Sequence, residues 1–241
     1  MEPNLSNSNV EQLVNKSDSF LAQTCGYPLC MYFHDKVEVV AVPIFDFDGC
    51  KKNAYSSILI GRKSDTEPKV AAVNSVGSMS GNVLLFSALG SKRTNGMKKI
   101  FTGSHFESIQ AQRSRRKPSS SFFYHQISVL FCDSEKRVKD GEADCAAIDC
   151  VTFALLRKFN PTHLEGIVEI VRSEHFFGLP LVCDVKSDCE LLRSALQNTQ
   201  DDETARLLLK KIGIIGFRAW YQKCNKWISS GRENGYKSNE T

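Results

Sequence analysis

Apolar residues fall along the chain in short runs separated by stretches with helical spacing. Residues 36–45 alternate at first and then turn continuously apolar, which predicts a strand. Residues 54–61 and 69–74 predict two more. Met79, Val83, Phe86 and Leu89 recur at helical spacing, residues 99–102 form a short strand pattern, and a helix is expected from His105. Residues 143–149 predict a buried strand followed by a helix through Lys158. Residues 166–171 and 179–185 predict two further strands. From Ser187 the pattern is helical, with Ser187 or Asp188 as a cap and Asp201, Asp202 and Glu203 opening another helix. Short strands alternating with helices predict an α/β fold with mostly parallel sheets.

Residues 112–139 break this rhythm. A basic cluster (Arg113, Arg115, Arg116, Lys117) is followed by Pro118-Ser119-Ser120-Ser121 and then by an apolar burst. The shift in composition predicts an inserted loop or hairpin, and the basic cluster reads as a solvated face.

Composition narrows the class. The 241 residues are 41% hydrophobic and 24% charged, enough to bury a real core, and the net charge of +4 is too small to argue for a nucleic-acid partner. No apolar run approaches the roughly 18–20 residues a membrane helix needs, so no membrane insertion is expected. Residues 1–16 are polar and lack the pattern of a secretory signal, which predicts a cytoplasmic location. Nine cysteines is an odd number, with no C-x-x-C pair and no zinc-type Cys/His spacing. They read as free thiols in a reducing compartment; no metal and no cofactor is expected.

Three strand-to-helix turns carry the candidate chemistry. The first is Asn74-Ser75-Val76-Gly77-Ser78-Met79-Ser80-Gly81. Unpaired N–H groups and the helix dipole gather at such a place, Ser78 and Ser80 add hydroxyls, and Gly77 and Gly81 admit a ligand close to backbone. That is a cradle for phosphate, phosphonate or carboxylate, or else a helix simply capped by Ser78. The second, Thr102-Gly103-Ser104-His105, repeats the recipe and adds an imidazole. The third is Ile148-Asp149-Cys150, where Asp149 either caps a helix or binds an amine or hydroxyl. Catalytic signatures are poor: no G-x-S-x-G, Walker loop, Rossmann fingerprint or H-E-x-x-H occurs. Ser80, His105 and Asp149 as a triad, or a reactive thiol at Cys25 or Cys30, have no supporting pattern.

The same turns carry a resemblance. Gln23-Thr24-Cys25-Gly26-Tyr27-Pro28-Leu29, Tyr55-Ser56-Ser57, Ser78-Met79-Ser80-Gly81, Thr102-Gly103-Ser104-His105, the run from Gly141 to Asp149, and Gly178-Leu179-Pro180 follow one another in order. Over residues 23–217 the chain resembles the phosphate/phosphonate-type substrate-binding proteins of ABC transporters, with the type 2 periplasmic-binding-protein fold. The resemblance implies two α/β lobes that enclose a small anion without chemistry. Residues 1–61 with 168–241 would form lobe one and 62–167 lobe two, with hinge strands near Ile60 and Ile167. It implies that Ser78, Met79 (by backbone), Ser80 and Gly81 form the anion cradle, and that Thr102, Ser104 and His105 form its second wall. Tyr55 and Tyr27 would face the ligand from lobe one, and Asp149 would meet its polar end. Against the family pattern, residues 112–137 are an insertion and the front end is short. Lobe one is therefore expected to lack its opening strand and to expose an edge beside residues 37–45, open to self-association. Two other readings stay open: an enzyme on the same fold, such as one with thiamine-precursor-synthesis-like activity, and a degenerate paralogue that binds nothing.

Overall fold

The computed structural model describes residues 21–63, 67–74, 76–102, 138 and 140–219. Ser104, His105, the helix expected from His105 and the insertion at 112–137 lie outside the described residues, as does the polar front end.

A five-stranded sheet holds the largest core. Its order is β7 (Lys98–Phe101), β6 (Val70–Val73), β8 (Cys145–Asp149), β5 (Ser57–Arg62) and β9 (Ile167–Arg172). The period of two in these strands sends alternate residues to opposite faces. Ile58, Ile60, Ala72, Ala146 and Ile148 go to one face, with Met79, Leu84 and Phe153 packed on them. Leu59, Ala71, Val73, Cys145 and Ala147 go to the other, under Leu85 and Leu89. Both faces are covered, which is why these strands read as unbroken apolar runs rather than alternating ones. Only β7-β6-β8 is parallel; β5 and β9 run antiparallel to their neighbours and to each other. The expectation of mostly parallel sheets is corrected to that extent.

The Asp144 side chain fixes the entry to β8. Its Oδ2 accepts the backbone N–H groups of Lys69 at 2.8 Å and Val70 at 2.9 Å, and its Oδ1 meets the Arg62 guanidinium at 3.4 Å. One carboxylate thus ties β5, β6 and β8 together at one end.

A second, four-stranded sheet has the order β1 (Ala22–Gln23), β11 (Leu181–Asp184), β2 (Val37–Phe45) and β12 (Ile214–Arg218). The front half of β2 pairs with β11 from Val37 to Ala41, and the back half with β12 from Val42 to Phe45. Each half therefore has one strand neighbour among the described residues. β12 falls where helix alone was expected after Ser187. A helical segment, α1 (Gly26–Pro28) continued by a wider turn (Leu29–Phe33), buries Leu29 and Phe33 against Val37 and Val182. A small sheet of β10 (Phe176–Phe177), β4 (Ala54–Tyr55) and β3 (Cys50–Lys51) lies at the start of β5. Gly178 lets this region close: a Cβ there would sit 2.9 Å from the Asn53 carbonyl, which its own N–H contacts at 2.7 Å.

Candidate functional site

The helix after β6 begins where the parallel strands end. Ser78 takes extended backbone angles (φ −72°, ψ 118°), and its Oγ accepts the Gly81 N–H at 3.1 Å. The Ser78 carbonyl accepts the Asn82 and Val83 N–H groups, both at 3.1 Å. The first turn is thus widened, running Met79–Val83 before α2 (Leu84–Leu89). Asn82 braces the loop by donating from Nδ2 to the Val76 carbonyl at 2.7 Å, and its Oδ1 accepts from Lys99 Nζ at 3.3 Å. Lys99 also lies 4.1 Å over the Phe86 ring, and partial burial lowers its pKa. Ser80, in the first turn, is 3% exposed. Gly81 has a local reason to be glycine, since a Cβ there would press on the Asn74 side chain.

α1 packs on the start of the helix at Met79–Val83. Cys25, the residue before α1, is partly exposed, but its thiol end is enclosed, and the Met79 N–H points at it. Burial, reinforced by the charge of Asp149, pushes the Cys25 thiol up to about 12. A thiol that stays protonated at ordinary pH is a poor nucleophile, which argues against Cys25 as a reactive cysteine. Tyr55 is 1% exposed, and its hydroxyl is buried with no hydrogen-bond partner. Burial raises its pKa well above 10, and the neighbouring Cys25, Asp149 and Cys150 add to the effect. Ser57 Oγ is likewise buried without a partner. A buried polar atom left unbonded costs on the order of 1–3 kcal/mol unless something fills the need.

Asp149 ends β8 and caps α4 (Cys150–Phe159), the next helix among the described residues after the short α3 (Ser91–Thr94). Its Oδ1 accepts the Thr152 N–H at 2.8 Å and its Oδ2 accepts the Thr152 hydroxyl at 2.7 Å. Beside it, Cys150 Sγ lies 3.3 Å from Cys50 Sγ. Either thiol can donate across this contact; it raises the pKa of Cys50, with burial adding to the effect, and lowers that of Cys150.

Of the residues expected at the site, Tyr55, Ser78, Met79, Ser80, Gly81 and Asp149 are all buried around these two helix starts. Tyr27 is half-buried on the same core. Thr102 lies at the end of β7, where its N–H donates to the Val73 carbonyl at 3.0 Å. Sequence reasoning named Cys25 and Cys150 within the candidate motifs without giving either a place in the site, and it missed Cys50. Lys99 had no signal in an ordinary strand pattern. A separate surface groove of about 710 Å3, lined by Lys69, Lys92, Arg93 and Lys98 among others, lies at the opposite end of β6 and β7.

The arrangement of sheets is shared with solved structures. A binding-protein component of an ABC phosphonate transporter from Pseudomonas aeruginosa superposes with a TM-score of 0.65 at 13% identity, over 97% of this chain and 76% of that one. PhnD1 from Prochlorococcus marinus in complex with methylphosphonate gives 0.62 at 14% identity, over 94% and 82%. XAC2383 from Xanthomonas citri bound to chloride ion gives 0.62 at 12% identity, over 94% and 81%. The fold is that of the two-lobed periplasmic binding proteins. No family model and no curated protein matches the chain. No helix among the described residues is long and apolar enough to cross a membrane.

Proposed function

We propose that the chain is a solute-binding protein that encloses a small oxyanion, of phosphate or phosphonate type, at the start of the helix Met79–Val83. The carrying observation is a buried, unpartnered Tyr55 hydroxyl in the same core cluster as Met79, the first residue of that helix. A donor without an acceptor near the positive end of a helix dipole suits an anion. Phosphonate and chloride are bound by proteins of the same fold, which supports the ligand class. Thr102, Ser104 and His105 would line the second wall and Tyr27 the approach. In this reading β5 and β9 are the hinge strands, near Ile60 and Ile167, and lobe two spans 62–167. The site is kept in a reducing compartment, in support of which the Cys50 and Cys150 thiols stand as a hydrogen-bonded pair.

Isothermal calorimetry with inorganic phosphate and with methylphosphonate tests the proposal. Tyr55→Phe and Ser80→Ala should each lower affinity about ten- to a hundredfold, the loss of one hydrogen bond to a charged group. Unchanged affinity in both variants would sink the assignment. Product formation from either ligand would favour an enzyme instead.

A further inference from the structure

We propose that Glu38, Cys183 and Cys189 form a binding site for a soft divalent metal ion of the zinc type, on the four-stranded sheet and away from the ligand cleft. The sheet register brings the first two together. Cys183 on β11 stands directly opposite Glu38 on β2 in an antiparallel pair, so both side chains leave the same face. The third comes from α5 (Cys189–Asp201), which lies on that face. Asp188 caps α5 by accepting the Leu191 N–H at 2.9 Å, and this makes Cys189 the first helical residue above the strands. The Cys189 thiol reaches the Val39 carbonyl at 3.8 Å. The ligand atoms of all three residues lie within 4.8 Å of one another.

The donor set selects the ion. Two thiolates and a carboxylate suit zinc or cadmium, whereas calcium and magnesium call for oxygen alone. With metal–sulfur bonds of about 2.3 Å, the two sulfurs on a tetrahedral ion lie about 3.8 Å apart, so the three donors draw in by about 1 Å at most. Glu38 can supply that movement, because it is exposed while both cysteines are buried. Its exposure also leaves the fourth position to water. Two thiolates, one carboxylate and a divalent ion sum to −1, and Arg193, which also pairs with Glu190, lies within electrostatic range of both sulfurs. That guanidinium is held in place by the Val39 carbonyl at 2.7 Å and the Val40 carbonyl at 3.3 Å. A bound ion would staple β2, β11 and α5 together.

Cobalt(II) titration of the full, metal-free chain, kept reduced with a phosphine, reads the site directly. One equivalent should produce sulfur-to-cobalt charge transfer in the near ultraviolet and the intense visible bands of four-coordinate cobalt, both erased by zinc. Cys183→Ser and Cys189→Ser should each abolish the charge-transfer band, while the double variant Cys50→Ser/Cys150→Ser keeps it. Glu38→Gln, at an exposed position that leaves the core alone, should weaken cobalt binding at least tenfold with the stoichiometry unchanged. Bands that survive Cys183→Ser and Cys189→Ser, or that vanish with Cys50→Ser/Cys150→Ser, overturn the proposal. So does unchanged affinity in Glu38→Gln, which decides the matter even if a cysteine variant fails to fold.

Discussion

The helix after β6 starts at a serine and the helix after its parallel neighbour β8 starts at an aspartate, and the two starts are satisfied differently. Ser78 is neutral and uses its hydroxyl on one N–H, that of Gly81. Asp149 brings a full negative charge and spends both oxygens on Thr152. A helix dipole capped by a neutral group still attracts an anion, whereas one capped by a carboxylate is already compensated. The same local motif, a strand running into a capped helix, thus has two electrostatic outcomes: one start is left open, its dipole uncompensated by its cap, and the other is closed on itself. Any ligand group that meets Asp149 must compete with Thr152 for its oxygens.

The largest expected effect tests the closed start. Asp149→Ala removes the cap and strands a buried N–H and a buried hydroxyl on Thr152, so stability should fall by about 3 kcal/mol. Asp149→Asn keeps one acceptor and should cost about 1 kcal/mol. Urea unfolding gives both numbers, and equal losses would show that the charge itself, not the pair of hydrogen bonds, holds α4. Gly81→Ala comes next at about 2 kcal/mol, because its Cβ would press on Asn74 at the open start. Adding Asn74→Ala to that variant should recover part of the loss; if it recovers none, the crowding lies elsewhere. Ser78→Ala removes a single cap bond and should cost about 1 kcal/mol, visible as a small shift in the urea midpoint.

Much of this comparison was legible beforehand, and the limits have physical causes. The strands of the five-stranded sheet announced themselves because both their faces are covered, and Asp149, Asp188 and Asp202 announced helix starts because a capping acid is local chemistry. β12 was missed although Gly213 (φ 78°) ends the helix just before it, because the short strand is fixed by pairing with β2, some 170 residues earlier. Small strands such as β3 and β10, two residues each, are too short to carry a period. The partners of the site were hidden for the same reason. Nothing local says that Cys25 meets Met79, that Cys50 meets Cys150, or that Glu38 faces Cys183. Those pairs exist only once the sheets are assembled.

The remaining effect is absent at neutral pH, appears only in alkali, and reports on both helix starts together. Cys25 takes the Met79 N–H at the open start and feels the charge of Asp149 at the closed one. Its thiol is raised from the ordinary 9.0 to about 12. Between those values the folded chain keeps a proton that the unfolded chain has released, so stability falls as pH rises. The contribution is complete below pH 9, is lost progressively above it, and stops changing beyond about pH 12. Tyr55, raised above 10, acts in the same direction from a higher starting pH, while Lys99, lowered from 10.5, acts in the opposite one. Cys25→Ser cannot titrate, so its urea midpoint should match the parent's shape from pH 7 to 8.5 and decline less steeply from pH 9 to 11. Asp149→Asn should also flatten the decline, because removing the nearby charge lets the thiol ionise earlier in the folded state. Ser78→Ala removes no charge and should leave the slope as it is. Parallel curves for the parent and Cys25→Ser would mean that the thiol is not enclosed between the two helix starts.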